Sequence, residues 1–103
     1  VREIKFRIRF KGKIVGYEKW ERREWLYTKD NISWSNIEIL NDGKDQFTGL
    51  LDKKKVEGYH KDICQDYKGN KYTIEWDKGV FYLQPVGTTL HWSIQLLEDF
   101  EII

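Results

Sequence analysis

Lys71-Tyr72-Thr73-Ile74-Glu75-Trp76-Asp77-Lys78-Gly79-Val80-Phe81-Tyr82-Leu83-Gln84 is the stretch that decides the fold class. Tyr72, Ile74 and Trp76 recur with a period of two, which puts them on one face of an extended strand. Asp77-Lys78-Gly79 then supplies a tight turn, and residues 80–84 return as a second strand. Working outward, residues 63–67 form a strand that enters Lys68-Gly69-Asn70, another turn. Further on, Leu90, Trp92, Ile94 and Leu96 alternate again, and Phe100, Ile102 and Ile103 make a last apolar piece. Residues 46–51 lead into a polar loop at Asp52-Lys53-Lys54-Lys55, and Asn41-Asp42-Gly43 is a turn.

The N-terminal part repeats the same grammar. Ile4, Phe6, Ile8 and Phe10 alternate with Lys5, Arg7, Arg9 and Lys11, so one strand face is apolar and the other basic. Lys11-Gly12-Lys13 turns the chain, and residues 14–17 return. Residues 18–30 fit a short helix or an irregular aromatic loop, with Trp20 and Trp25 around Glu21-Arg22-Arg23-Glu24. Ile32, Trp34, Ile37 and Ile39 suggest strand pieces broken near Ser35-Asn36. Short strands joined by glycine turns, without helical periodicity, predict a mainly β protein: a small barrel or rolled sheet.

A chain of 103 residues is expected to form one domain with a modest core, which its 16% aromatic content can fill. The net charge of +1 gives no global field to hold a polyanion, but the charge is unevenly spread. Residues 1–30 carry 10 basic and 5 acidic side chains, residues 31–66 carry 5 and 7, and residues 67–103 carry 3 and 5. Cys64 is the single cysteine, so no intrachain disulfide is available and a reducing, cytoplasmic compartment is expected. No apolar run reaches the ~18 residues that span a membrane, and no signal segment opens the sequence.

Residues 46–64 read QFTGLLDKKKVEGYHKDIC, and the opening reads Arg2-Glu3-Ile4-Lys5-Phe6-Arg7. Together they resemble the YopX family of phage and prophage proteins, whose members carry REIKFR and a segment of the type QYTGLKDKNGKEIYEGDIV. Gln46-Phe47-Thr48-Gly49-Leu50 stands at QYTGL, Asp52-Lys53 at DK, and Tyr59 and Asp62-Ile63 keep the Y and DI. Glu75-Trp76-Asp77-Lys78-Gly79-Val80-Phe81 resembles the family's hairpin, and residues 97–103 resemble the start of its terminal DFEVIGNIYENPEL. The family continues beyond that point, and Val1 stands where a starting Met is expected. Lys55 and Lys61 stand where the family has glycines; if those glycines sit at positive φ, each lysine adopts that conformation at a cost or the turn differs. The resemblance implies a single YopX-like domain over 1–103, with a less regular β-rich part over 1–45 and an SH3-like barrel over 46–103. It also implies a bacterial, cytoplasmic setting and leaves self-association open.

No constellation for catalysis or metal binding stands out. His60 and His91 lack partners at metal-ligand spacing. His60 lies near Cys64 in sequence, but Cys64 replaces a strand valine of the family and reads as a small buried residue. Glu57, Asp62 and Asp66 sit among lysines and read as solvated charges. A non-enzyme without cofactor or metal is expected. The candidate binding residues are Arg7, Arg9 and Lys11 of the basic strand, with Trp20, Trp25 and Trp34 as anchors. The expected role is a phage accessory protein that binds a host protein, including a component of a defence system. The alternative is nucleic-acid binding, with the basic ladder (Lys5 to Lys13) spaced at ~6.6 Å along one face. A third reading makes the tryptophans a core layer and the basic face a charged guard against edge pairing.

Overall fold

A computed structural model describes residues 3–87 and 92–103. Arg2 of the opening motif, and Leu90 and His91, lie outside the described residues. The chain is mainly β and forms two compact units, Val1–Phe47 and Thr48–Ile103.

The first unit holds β1 (Lys5–Phe10), β2 (Lys13–Glu21), β3 (Glu24–Thr28) and the first half of β4 (Gly43–Leu51). Strand order is β3-β2-β1-β4, with neighbouring strands antiparallel. The alternating opening therefore forms the expected strand. Residues 18–30 form neither a helix nor a loop. They complete a β2–β3 hairpin in which Trp20 pairs with Trp25 and Glu21 with Glu24. Residues 32–39 do not form the expected strand pieces; one bridge joins Tyr27 to Ser35. Gly16 has no room for a side chain: a Cβ there would meet the Thr28 carbonyl oxygen at 2.5 Å and Ile39 Cδ1 at 2.8 Å. The segment after Ser35 thus lies against the sheet face that Gly16 keeps flat.

In the second unit, the remainder of β4 neighbours β5 (Glu57–Tyr59). A second sheet has the order β10-β6-β7-β8-β9, from β6 (Ile63–Gln65), β7 (Lys71–Asp77), β8 (Val80–Pro85), β9 (Trp92–Ser93) and β10 (Glu101–Ile102). The hairpin at residues 71–84 forms in the register its alternation demands, with Asp77 opposite Val80. The terminal alternation misleads: after Ser93 the chain turns into a 3-10 helix, Ile94–Asp99, capped by the Ser93 hydroxyl. Cys64, Tyr72, Ile74, Phe81, Leu83, Leu97 and Phe100 make the core. Neither sheet closes on itself among the described residues, so strand pairing establishes two antiparallel sheets and no barrel.

Asp52 organises this unit. It is almost fully buried, and its Oδ1 accepts the backbone N–H groups of Lys54 and Val56 at 2.8 and 2.9 Å. Its Oδ2 accepts the N–H of Ile102, fifty residues away, at 2.8 Å. Burial alone would raise its pKa, but the N–H groups of Ile102, Val56 and Lys54 outweigh that and hold it below the usual range. The Asp-Lys pair of the family pattern is thus a clamp between the central loop and the chain's last strand. Lys53 and Lys54 add ion pairs to Glu101.

Candidate functional site

The basic strand is not the open ladder that its sequence implies. Lys5 and Arg7 are only 5% and 6% exposed. The Arg7 guanidinium reaches Asp45 Oδ2 on β4 through Nε at 3.1 Å and a terminal nitrogen at 2.9 Å, and Arg9 Nε binds the same oxygen. Asp45 is itself buried, so Arg7 and the part-exposed Arg9 share one carboxylate and are held against the sheet's own surface. The Lys5 ammonium lies 5.6 Å from the ring centres of Tyr17 and Phe47 and 5.7 Å from that of Trp34. Lys19, its cross-strand partner, lies 4.3 Å from the Trp34 ring. Trp34 therefore sits between two ammonium groups and ties the irregular segment to the basic face. Lys11 stays exposed at its turn; its N–H binds Asp42 Oδ2 at 2.9 Å.

The six sequence-derived candidates do not form one surface. Trp34 packs on the Lys5 face. Trp20 and Trp25 pack on the opposite one, where Phe6 lies 6.2 Å from Trp25. The two indoles meet edge to face at 5.3 Å and remain 41% and 39% exposed. Hairpin geometry explains the meeting: they occupy a position where side chains approach most closely across an antiparallel pair.

Sequence reasoning missed the turn that joins them. Arg22 and Arg23 have φ of 53° and 66°, both left-handed. Two-residue hairpins favour that conformation because its twist matches the strands, and they usually fill it with Gly or Asn. The chain follows that rule twice, with Lys11-Gly12 and Lys78-Gly79. At the third hairpin it holds two arginines there. Neither makes an ion pair among the described residues.

The segment 29–42 flanks this hairpin. Asp30 anchors its start, accepting the N–H groups of Ser33 and Ile32 and the Thr28 hydroxyl, which bring its pKa down to about 2. Phe10, Val15, Tyr27, Ile37, Ile39 and Leu40 line an open cleft of ≈ 710 Å³.

Nothing comparable gathers around the second unit's titratable groups. Cys64 is fully buried, and burial with the nearby Asp62 and Asp52 charges pushes its thiol up to about 12, opposite to an activated nucleophile. His60 packs 6.4 Å from the Phe81 ring. Among the described residues no group of three His, Cys, Asp or Glu side chains could hold a metal ion, and no helix is long and apolar enough to cross a membrane.

Fold and surface define a small antiparallel β protein that buries Lys5 and Arg7 of its basic strand and presents an aromatic hairpin. The model of the family described as YopX protein matches residues 7–103, nearly the whole described chain, and the protein belongs to that family. No curated protein matches it significantly.

Proposed function

We propose that this protein is a non-enzymatic phage or prophage accessory protein that acts by binding a protein of its bacterial host. Its contact surface is the tip of the β2–β3 hairpin: Trp20 and Trp25, backed by Phe6, with Arg22 and Arg23 at the turn. The observation that carries this reading is the edge-to-face, two-fifths-exposed indole pair beside two left-handed arginines. Tryptophan and arginine dominate the few residues that carry binding energy at protein interfaces. Strained backbone without glycine persists where a side chain is wanted at that position. A defence-system component is the kind of host target that suits a small protein acting by occupancy, and an SH3-like ancestry of the second unit is consistent with a binding role.

Nucleic-acid binding through the basic strand loses its motivation, because Arg7 and Arg9 already share Asp45 and Lys5 is enclosed by rings. Arg7, Arg9, Lys11 and Trp34 accordingly leave the proposed surface. The test is affinity capture from nuclease-treated host lysate with wild type and with the Trp20→Ala/Trp25→Ala variant. A host protein retained by the first and lost by the second supports the reading. Retention that ignores both indoles, or that disappears with nuclease, contradicts it.

A further inference from the structure

Resting on that reading of the hairpin, we infer that it takes its partner by strand addition: an extended segment of the partner protein runs antiparallel to β3 and hydrogen-bonds to the main chain of Trp25. The Tyr27 N–H donates to Ser35 O at 2.7 Å, and the Ser35 N–H donates to Tyr27 O at 2.9 Å. Both polar groups of Tyr27 therefore point away from β2. Strand geometry repeats every two residues, so the N–H and C=O of Trp25 point the same way. The pairing of β2 agrees: Trp20, opposite Trp25, turns its N–H to the other side and donates it to Ile4 O at 3.0 Å.

The chain's own segment begins to cover this edge and then leaves it. Antiparallel continuation from Ser35 would set Ile37 opposite Trp25. The Ile37 N–H turns instead toward the Ser35 hydroxyl, and Ile37 is 73% exposed. No described group takes up the outward N–H and C=O of Trp25. One edge of the second sheet is treated differently, since Asp52 and the Lys53 N–H cap β10 and the residue before it. An open main chain flanked by indoles is the arrangement that receives an added strand, with side-chain contacts setting specificity.

The register fixes the chemistry of the occupant. The residue opposite Trp25 exchanges two hydrogen bonds with it, so it is not proline, and its side chain lies beside the indoles, so it is apolar. Two residues later the segment passes Arg23, whose guanidinium, with that of Arg22, is free of ion pairs among the described residues; an aspartate or glutamate fits there. The recognised element is an extended apolar-x-acidic segment.

The probe is an array of immobilised octapeptides carrying that pattern, with charge-reversed, proline-interrupted and scrambled controls, read with the labelled full-length protein. Expected is retention by the pattern at least tenfold above the charge-reversed set, loss with proline opposite Trp25, and a further loss of about tenfold when a semisynthetic chain carries an ester in place of the Trp25 amide. The side chain survives that exchange, and circular dichroism checks the fold. Peptide binding that tolerates proline and the ester but fails in Trp20→Ala/Trp25→Ala overturns strand addition and leaves the hairpin reading standing. Binding indifferent to the indoles overturns both. No retention of any patterned peptide, or retention displaced by a single-stranded oligonucleotide, overturns the inference.

Discussion

Lys55 and Lys61 show how a departure from a family pattern becomes a physical statement. Both stand where the resemblance to the family leads one to expect glycine, and both adopt left-handed backbone, with φ of 67° and 77°. Each lysine holds a backbone conformation that glycine adopts without steric cost. Lys55→Gly and Lys61→Gly should therefore each stabilise the protein by about 0.5–1 kcal/mol in urea unfolding, because relief of the Cβ clash exceeds the added chain entropy. Equal or lower stability would mean that lysine contacts hold those turns. Asp45 makes the opposite case. Asp45→Ala leaves the buried Arg7 and its neighbour Arg9 without their shared carboxylate, and a cost of about 3–5 kcal/mol is expected by the same measurement. The sequence displays Arg7 and Arg9 plainly, yet the carboxylate they share lies on β4, thirty-eight positions from Arg7. Composition and alternation carry no sign of such a distant partner.

At the scale of elements, legibility followed the turns. Where glycine marked a two-residue turn, as at Lys78-Gly79, both strands and their register could be read directly. Where Arg22-Arg23 occupy the same kind of turn, no local signal survives, and residues 18–30 were open to a helix or loop reading. The second half of β2, all of β3 and the proposed binding surface hide behind that turn. The terminal alternation failed differently and only after Ser93, since the Ser93 cap and the burial of Leu97 favour a 3-10 turn over a strand. The hairpin yields a sharp prediction. Arg22→Asn/Arg23→Gly should raise the melting temperature by about 4–8 °C, corresponding to about 1 kcal/mol of relieved strain. The same variant should bind the host partner more weakly. Gain of stability without loss of binding would make the arginines incidental.

For the whole molecule, stability should decline in acid. Asp30 and Asp52 are held below their ordinary pKa by backbone N–H groups, and Glu101 chiefly by Lys54. A group whose folded pKa is lowered stabilises the fold above its unfolded value, roughly 4 for carboxylates, and that contribution fades as pH falls through the folded value. Thermal melts should thus be flat from pH 5 to 7 and drop between about pH 4 and 2, less steeply in Asp52→Asn, whose own melting temperature at neutral pH is lower. The proposed function rests on one surface among several aromatic ones. Trp76 and Trp92, 40% and 44% exposed, match Trp20 and Trp25 in accessibility and differ in having, among the described residues, no second indole and no arginine turn beside them. They are internal controls for the most direct measurement, hydroxyl-radical footprinting of the protein in nuclease-treated host lysate against buffer. The account predicts protection of Trp20 and Trp25 with Trp76 and Trp92 oxidised as before; equal oxidation of all four, or protection confined to the second pair, would contradict it.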